Sequence, residues 1–192
     1  MTNRFLPPAL LALLTIATSR AAAELDSAQT EYRFGVGHTQ YDATWRDSQN
    51  EIDTLPTSDT GMHLNLGFAR HIGRSGRHLF GVGIDYDRIF DARMLGFRAL
   101  DYRYEVTEKL DIGAFFGAAT LDTGLPQNGF YLGLSLSYHV LQTERGSLAV
   151  DCSLRNGNGL ARDTKLADDP TIVSPDFFLD FYAPTLALSW NF

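Results

Sequence analysis

Large apolar side chains recur at every second position in eight separate stretches of this chain, with small, charged or hydroxyl residues between them. A period of two places successive side chains on opposite faces of an extended strand. The cleanest stretch sets Phe130, Leu132, Leu134, Leu136, Tyr138 and Val140 against Tyr131, Gly133, Ser135, Ser137 and His139. The first, from about Glu31 to Tyr41, sets Tyr32, Phe34 and Val36 against Arg33, Gly35, Gly37 and Thr39. Equivalent faces are carried by Met62 to Phe68, Phe80 to Tyr86, Leu110 to Phe116, Leu148 to Leu154 and Phe177 to Phe192. In the fourth stretch Leu100, Tyr102, Tyr104 and Val106 are out of phase with Leu95 and Phe97, which predicts a bulge at Arg98 or Ala99. Pro184 predicts a second bulge or a break in the last strand.

The connections alternate in length. Residues 73–78, 107–109 and 142–147 are short turns, whereas residues 42–60, 88–93, 122–128 and 156–176 are longer. Strands of this length, an even strand number and loops long on one side only predict an all-β fold: an eight-stranded antiparallel transmembrane up-and-down β-barrel. A soluble barrel would put its apolar face inside and its charged face in water. Here the polar face is rich in glycine (Gly35, Gly37, Gly67, Gly81, Gly83, Gly113, Gly117, Gly133), which suits a narrow, crowded lumen. Aromatic residues cluster near strand ends, as in the interfacial girdles of membrane barrels.

The first residues add a location. Arg4, the apolar run from Phe5 to Ala17 and the small residues Ala21-Ala22-Ala23 make residues 1–23 a signal peptide, leaving residues 24–192 as one barrel domain. Loss of Arg4 and Arg20 takes the formal charge from −7 to −9, which argues against nucleic acid as a partner. Cys152 stands alone, so no disulfide and no cysteine-based metal site is expected, and no cofactor is called for.

Eight alternating segments, the short–long loop order and the terminal Trp190-Asn191-Phe192 together resemble the small outer-membrane barrels of Gram-negative bacteria, the OmpA/OmpX-like group. The resemblance implies export through the periplasm into the outer membrane. The terminal aromatic looks like the signal read by the barrel-assembly machinery of that group. Outer-membrane lipid and lipopolysaccharide are the implied surroundings. Members of the group include adhesins, anchors, conduits and lipid-modifying enzymes, so the fold does not select the function.

An eight-stranded barrel is just wide enough for side chains to fill it. The inward set predicts a polar lumen with a charge network of Asp101, Arg103, Glu105, Asp111, His139, Asp151 and Arg155. Strand counting puts Glu105 beside Asp111, Asp111 beside His139, and Ser137 and His139 beside Asp151 and Ser153. Two readings follow: a plug of paired charges, or a nucleophilic site of Ser137, His139 and Asp151. Burial favours the plug, and no residue holds a clear catalytic role. The alternative enzyme reading is a lipid-directed hydrolase. Lipid A deacylases carry a His-x-Ser pair on an outer strand face, and this chain has none; Ser137-Tyr138-His139 runs the other way. A small-solute channel of porin-like kind is the third reading. The acidic loops at 42–60 and 156–176 are the places for an extracellular partner. The leading reading is therefore a structural or interaction protein of the envelope.

Overall fold

The computed structural model describes residues 30–46, 57–73, 75–89, 92–122, 125–163 and 177–192. The expected signal peptide lies outside them, as do the middle of the first loop and most of the last. Eight strands close into a ring: β1 (Thr30–Arg46), β2 (Thr57–Ile72), β3 (His78–Ile89), β4 (Ala92–Thr107), β5 (Leu110–Leu121), β7 (Gly129–Thr143), β8 (Gly146–Asn158) and β10 (Phe177–Asn191). Two short strands, β6 (Leu125–Pro126) and β9 (Ala161–Asp163), extend the rim. Every neighbouring pair is antiparallel, and β1 pairs with both β2 and β10, so no sheet edge remains in the wall. The chain is an eight-stranded antiparallel up-and-down barrel. Tyr32 and Phe192 exchange backbone hydrogen bonds of 2.8 and 2.9 Å at the end of the closing seam, and their rings stack.

The alternation is inside-out relative to a soluble protein. Leu66, Leu134, Leu186 and Phe130 each expose more than half of their surface on the outer wall, while Asp85, Asp87 and Arg155 are fully enclosed. Tyr32, Phe68, Phe80, Tyr102 and Phe192 form part of an aromatic belt at the turn end of the cylinder, with ring centroids 4.8 to 5.9 Å apart.

The bulge falls where the phase slip puts it. Ala99 is the extra residue on β4 against both β3 and β5. A regular strand would send residues three apart to opposite faces; with Ala99 inserted, Arg98 and Asp101 both face the lumen.

Four expectations need correction. The first loop is shorter than 42–60, because β1 continues to Arg46 and β2 begins at Thr57. The connection at 88–93 is no long loop: Ile89 pairs with Ala92, leaving two residues between β3 and β4. Charged Arg88 and Arg93 look loop-like in sequence, yet both are outward strand positions. Pro184 makes no bulge. The register with β8 runs through it unchanged; only the ladder to β1 is interrupted, opposite Gln40 and Tyr41, because proline has no N–H to donate.

The fourth correction concerns the interior. The lumen is filled, but only its turn-side half is polar. Towards the loop end Tyr41, Met94, Phe115, Leu121, Tyr131, Leu160 and Phe181 form an apolar core inside the ring. Gly133 and Gly157 make room for it, since a Cβ there would lie 2.5 Å from the Phe115 ring and 2.4 Å from the Phe181 ring. Leu160 is carried inward by the turn at Gly159, which has φ +68°. Its amide donates to Leu179 and its carbonyl accepts from Leu121, so the start of the last loop stoppers the mouth.

Candidate functional site

The charged lumen divides into two groups stacked along the axis. The first lies beneath the apolar core. Arg155 Nη1 and Nη2 donate to Asp87 at 2.7 Å each, and Arg155 also donates to Thr39 at 2.8 Å and Thr185 at 2.9 Å. Arg98 grips Asp85 through two bonds of 2.7 Å, reaches Asp101 at 3.3 Å and lies 4.2 Å from the centre of the Phe115 ring. Tyr131 donates to Asp85 at 2.8 Å, and His63 stands 2.9 Å from Asp87. Bidentate guanidinium–carboxylate pairs are the geometry in which buried ions recover most of their lost hydration.

The second group lies nearer the turns. Arg103 donates to Glu31 at 2.7 Å, and Arg33 donates to Asn191 at 2.9 Å and lies 3.7 Å from Asp151. His139 holds Asp111 at 2.9 Å through Nε2 and Ser147 at 2.8 Å through Nδ1. Glu105 sits beside Asp111 in the sheet and 3.8 Å from His71. Each of the four buried arginines among the described residues thus has a carboxylate partner. A vestibule of about 360 Å³ lined by Glu31, His71, Ser147 and Asn191 opens at this end.

The residues of the nucleophilic reading are placed as follows. Ser137 and Asp151 stand directly opposite each other on β7 and β8. His139 pairs with Ala149, and both of its ring nitrogens are engaged, by Asp111 and Ser147. Ser137 Oγ accepts from Arg33 at 3.3 Å. Arginine at the serine and a committed histidine do not make a base-activated hydroxyl. The expected β5–β7 register was off by two residues: Asp111 pairs with Ser137, and the histidine side chain reaches back to Asp111 from the next inward position.

Sequence reading missed Arg98, Asp87 and Tyr131 as members of the network. Arg98 precedes the extra residue, so simple alternation counted from Leu100 put it on the wrong face. Tyr131 belongs to both halves, with its ring in the apolar core and its hydroxyl on Asp85.

The outer wall carries a groove of about 590 Å³ over Pro184, lined mainly by Leu134, Leu136, Leu154 and Leu186, with His38, Gln40 and Cys152 at its sides. His38 and Cys152 lie on either side of Leu186, so no nucleophile–base contact is formed there.

No family model matches the chain, and no curated protein matches it. Among solved structures, it is similar to Ail, the attachment invasion locus protein of Yersinia pestis, in complex with the heparin analogue sucrose octasulfate. That match has 11% identity and a TM-score of 0.49, over 85% of this chain and 99% of that one. It is similar also to outer membrane protein AlkL in DMPC bilayers, at 11% identity and a TM-score of 0.46 over 85% and 90% of the chains. Neisserial surface protein A matches at 15% identity and a TM-score of 0.44 over 83% and 97%. These identities carry no residue-by-residue correspondence.

Proposed function

We propose that this chain is a bacterial outer-membrane barrel with a closed, cross-braced lumen, serving as a structural or interaction protein of the envelope. The supporting observation is the pairing of an apolar outer wall with an interior filled by ion pairs and an apolar stopper. A soluble monomer rarely exposes a contiguous apolar patch beyond a few hundred Å². A girdle of exposed Leu, Phe, Val and Ile around the whole cylinder is the surface that acyl tails solvate. The same interior speaks against a channel, because Arg155, Asp87 and Leu160 occupy the axis that a solute would need.

Recognition in this reading belongs to the loop end. The acidic segments 42–60 and 156–176 supply the candidates for an extracellular partner, lipopolysaccharide and lipid surround the wall, and the barrel-assembly machinery handles the chain during biogenesis. The test is reconstitution into lipid vesicles. Stable insertion, with a folded band that migrates differently from the boiled one and no conductance above background in planar bilayers, supports the proposal. A compact monomer that stays in the aqueous phase without detergent refutes it.

A further inference from the structure

On β3 and β4, the outward apolar series of Ile84 and Tyr86, and of Leu95 and Phe97, ends towards the loops in Arg88 and Arg93. These two arginines are direct cross-strand partners, both exposed on the outer wall. Their Cβ atoms are therefore about 5 Å apart, a spacing at which like charges destabilise a sheet. Neither makes an ion pair among the described residues; Asp122, just past the end of β5, donates its amide to the Arg93 carbonyl at 2.9 Å.

The neighbouring strands add to the same row. Arg88 pairs with Met62, and Met62 with His38. Between Arg88 and His38 lies a groove of about 410 Å³, with Thr60 on its loop side. Two guanidinium groups, an imidazole and a hydroxyl thus lie along one stretch of the wall, just beyond the last apolar residues of their strands. On β7, by contrast, the outer face is still apolar at Phe130.

We infer that Arg88 and Arg93, with His38 and Thr60, form a binding site for the phosphoryl group of an anionic lipid headgroup. The position follows from the proposed membrane reading, since the row lies where acyl tails give way to headgroups. A tetrahedral phosphate offers several acceptor oxygens, enough for both guanidinium forks at once, and its charge relieves their mutual repulsion.

The test uses the purified barrel in detergent and native mass spectrometry. The probes are lipid A bearing its two phosphates, the same glycolipid after phosphatase treatment, and inorganic phosphate. The wild type is expected to retain phosphorylated lipid A at least about tenfold more strongly than the Arg88→Gln/Arg93→Gln variant. Arg88→Lys/Arg93→Lys should bind between the two. Equal retention by the wild type and the glutamine variant overturns the site, as does equal retention of the dephosphorylated lipid. Displacement by millimolar inorganic phosphate overturns the lipid assignment in favour of a free-anion site. Both variants alter exposed positions, and the heat-shifted gel band reports their folding. A barrel that never enters lipid sinks the membrane reading together with this site, whereas one that inserts and holds both glycolipids alike sinks this site alone.

Discussion

Arg155 and Asp87 stand on opposite walls of the cylinder, on β8 and β3, and two hydrogen bonds of 2.7 Å join them across its axis. Three strands lie between them in either direction around the ring. The pair therefore fixes the diameter of the barrel as well as neutralising two buried charges.

Removing one partner strands the other. Arg155→Met should cost about 3–5 kcal/mol, because Asp87 keeps only the His63 contact in a site closed to water. Urea titration of vesicle-inserted protein, followed by tryptophan fluorescence, measures this. The double variant Arg155→Met/Asp87→Leu should recover much of the loss; a double variant as unstable as the single would contradict the charge argument.

The glycines of the inner face differ in what they permit. A Cβ on Gly37 would lie 2.3 Å from the Leu186 carbonyl oxygen and 2.6 Å from Ala187 Cα, so Gly37→Ala must push the closing seam apart, at about 1–3 kcal/mol. At Gly67 the nearest atom is Arg33 Cβ at 3.5 Å, an ordinary contact, and Gly67→Ala should be neutral or slightly stabilising. Unfolding midpoints of the two variants side by side decide this.

Deletion of Ala99 leaves Arg98 and Asp101 two residues apart, the spacing at which a regular strand turns both to one face. The variant should therefore keep both residues in the lumen and retain the folded, heat-shiftable band. Ala99→Ser keeps the extra residue and should fold normally too. Loss of the folded band on deletion would show that β4 needs the bulge itself, beyond the facing of these two residues.

Ser137→Ala removes one acceptor of Arg33 but leaves Asn191 and Asp151 beside that guanidinium. The expected cost is about 1 kcal/mol, with no change in lipid A acylation by mass spectrometry of cell envelopes. An altered acylation pattern would instead revive the nucleophilic reading.

Much of the wall was legible in sequence because alternation is a local property. The phase slip between Phe97 and Leu100 located the bulge, and Leu132, Leu134 and Leu136 announced an outward face. The interior was less legible, since contacts across a lumen depend on the stagger of strands distant in sequence. Nothing near Asp87 in the chain points to Arg155, which lies 68 residues away. The apolar stopper was hidden for another reason: alternation puts Tyr131 on the inward face, but nothing local tells that it meets Tyr41, Phe115 and Phe181 from other strands in one cluster. Arg88 and Arg93 were lost to the loop class because charge outweighed their position in the alternation.

The cross-axis tether also imposes a chronology. Asp85 gains Arg98 from the adjoining hairpin, so its countercharge comes from the neighbouring strand. Asp87 waits for Arg155, and the hydroxyls that hold Arg155 come from the first strand and the last, Thr39 and Thr185. A half-curled sheet must therefore keep that carboxylate wet, and hydrocarbon is closed to it until the ends meet. Completion of the ring and permission to leave water become one event.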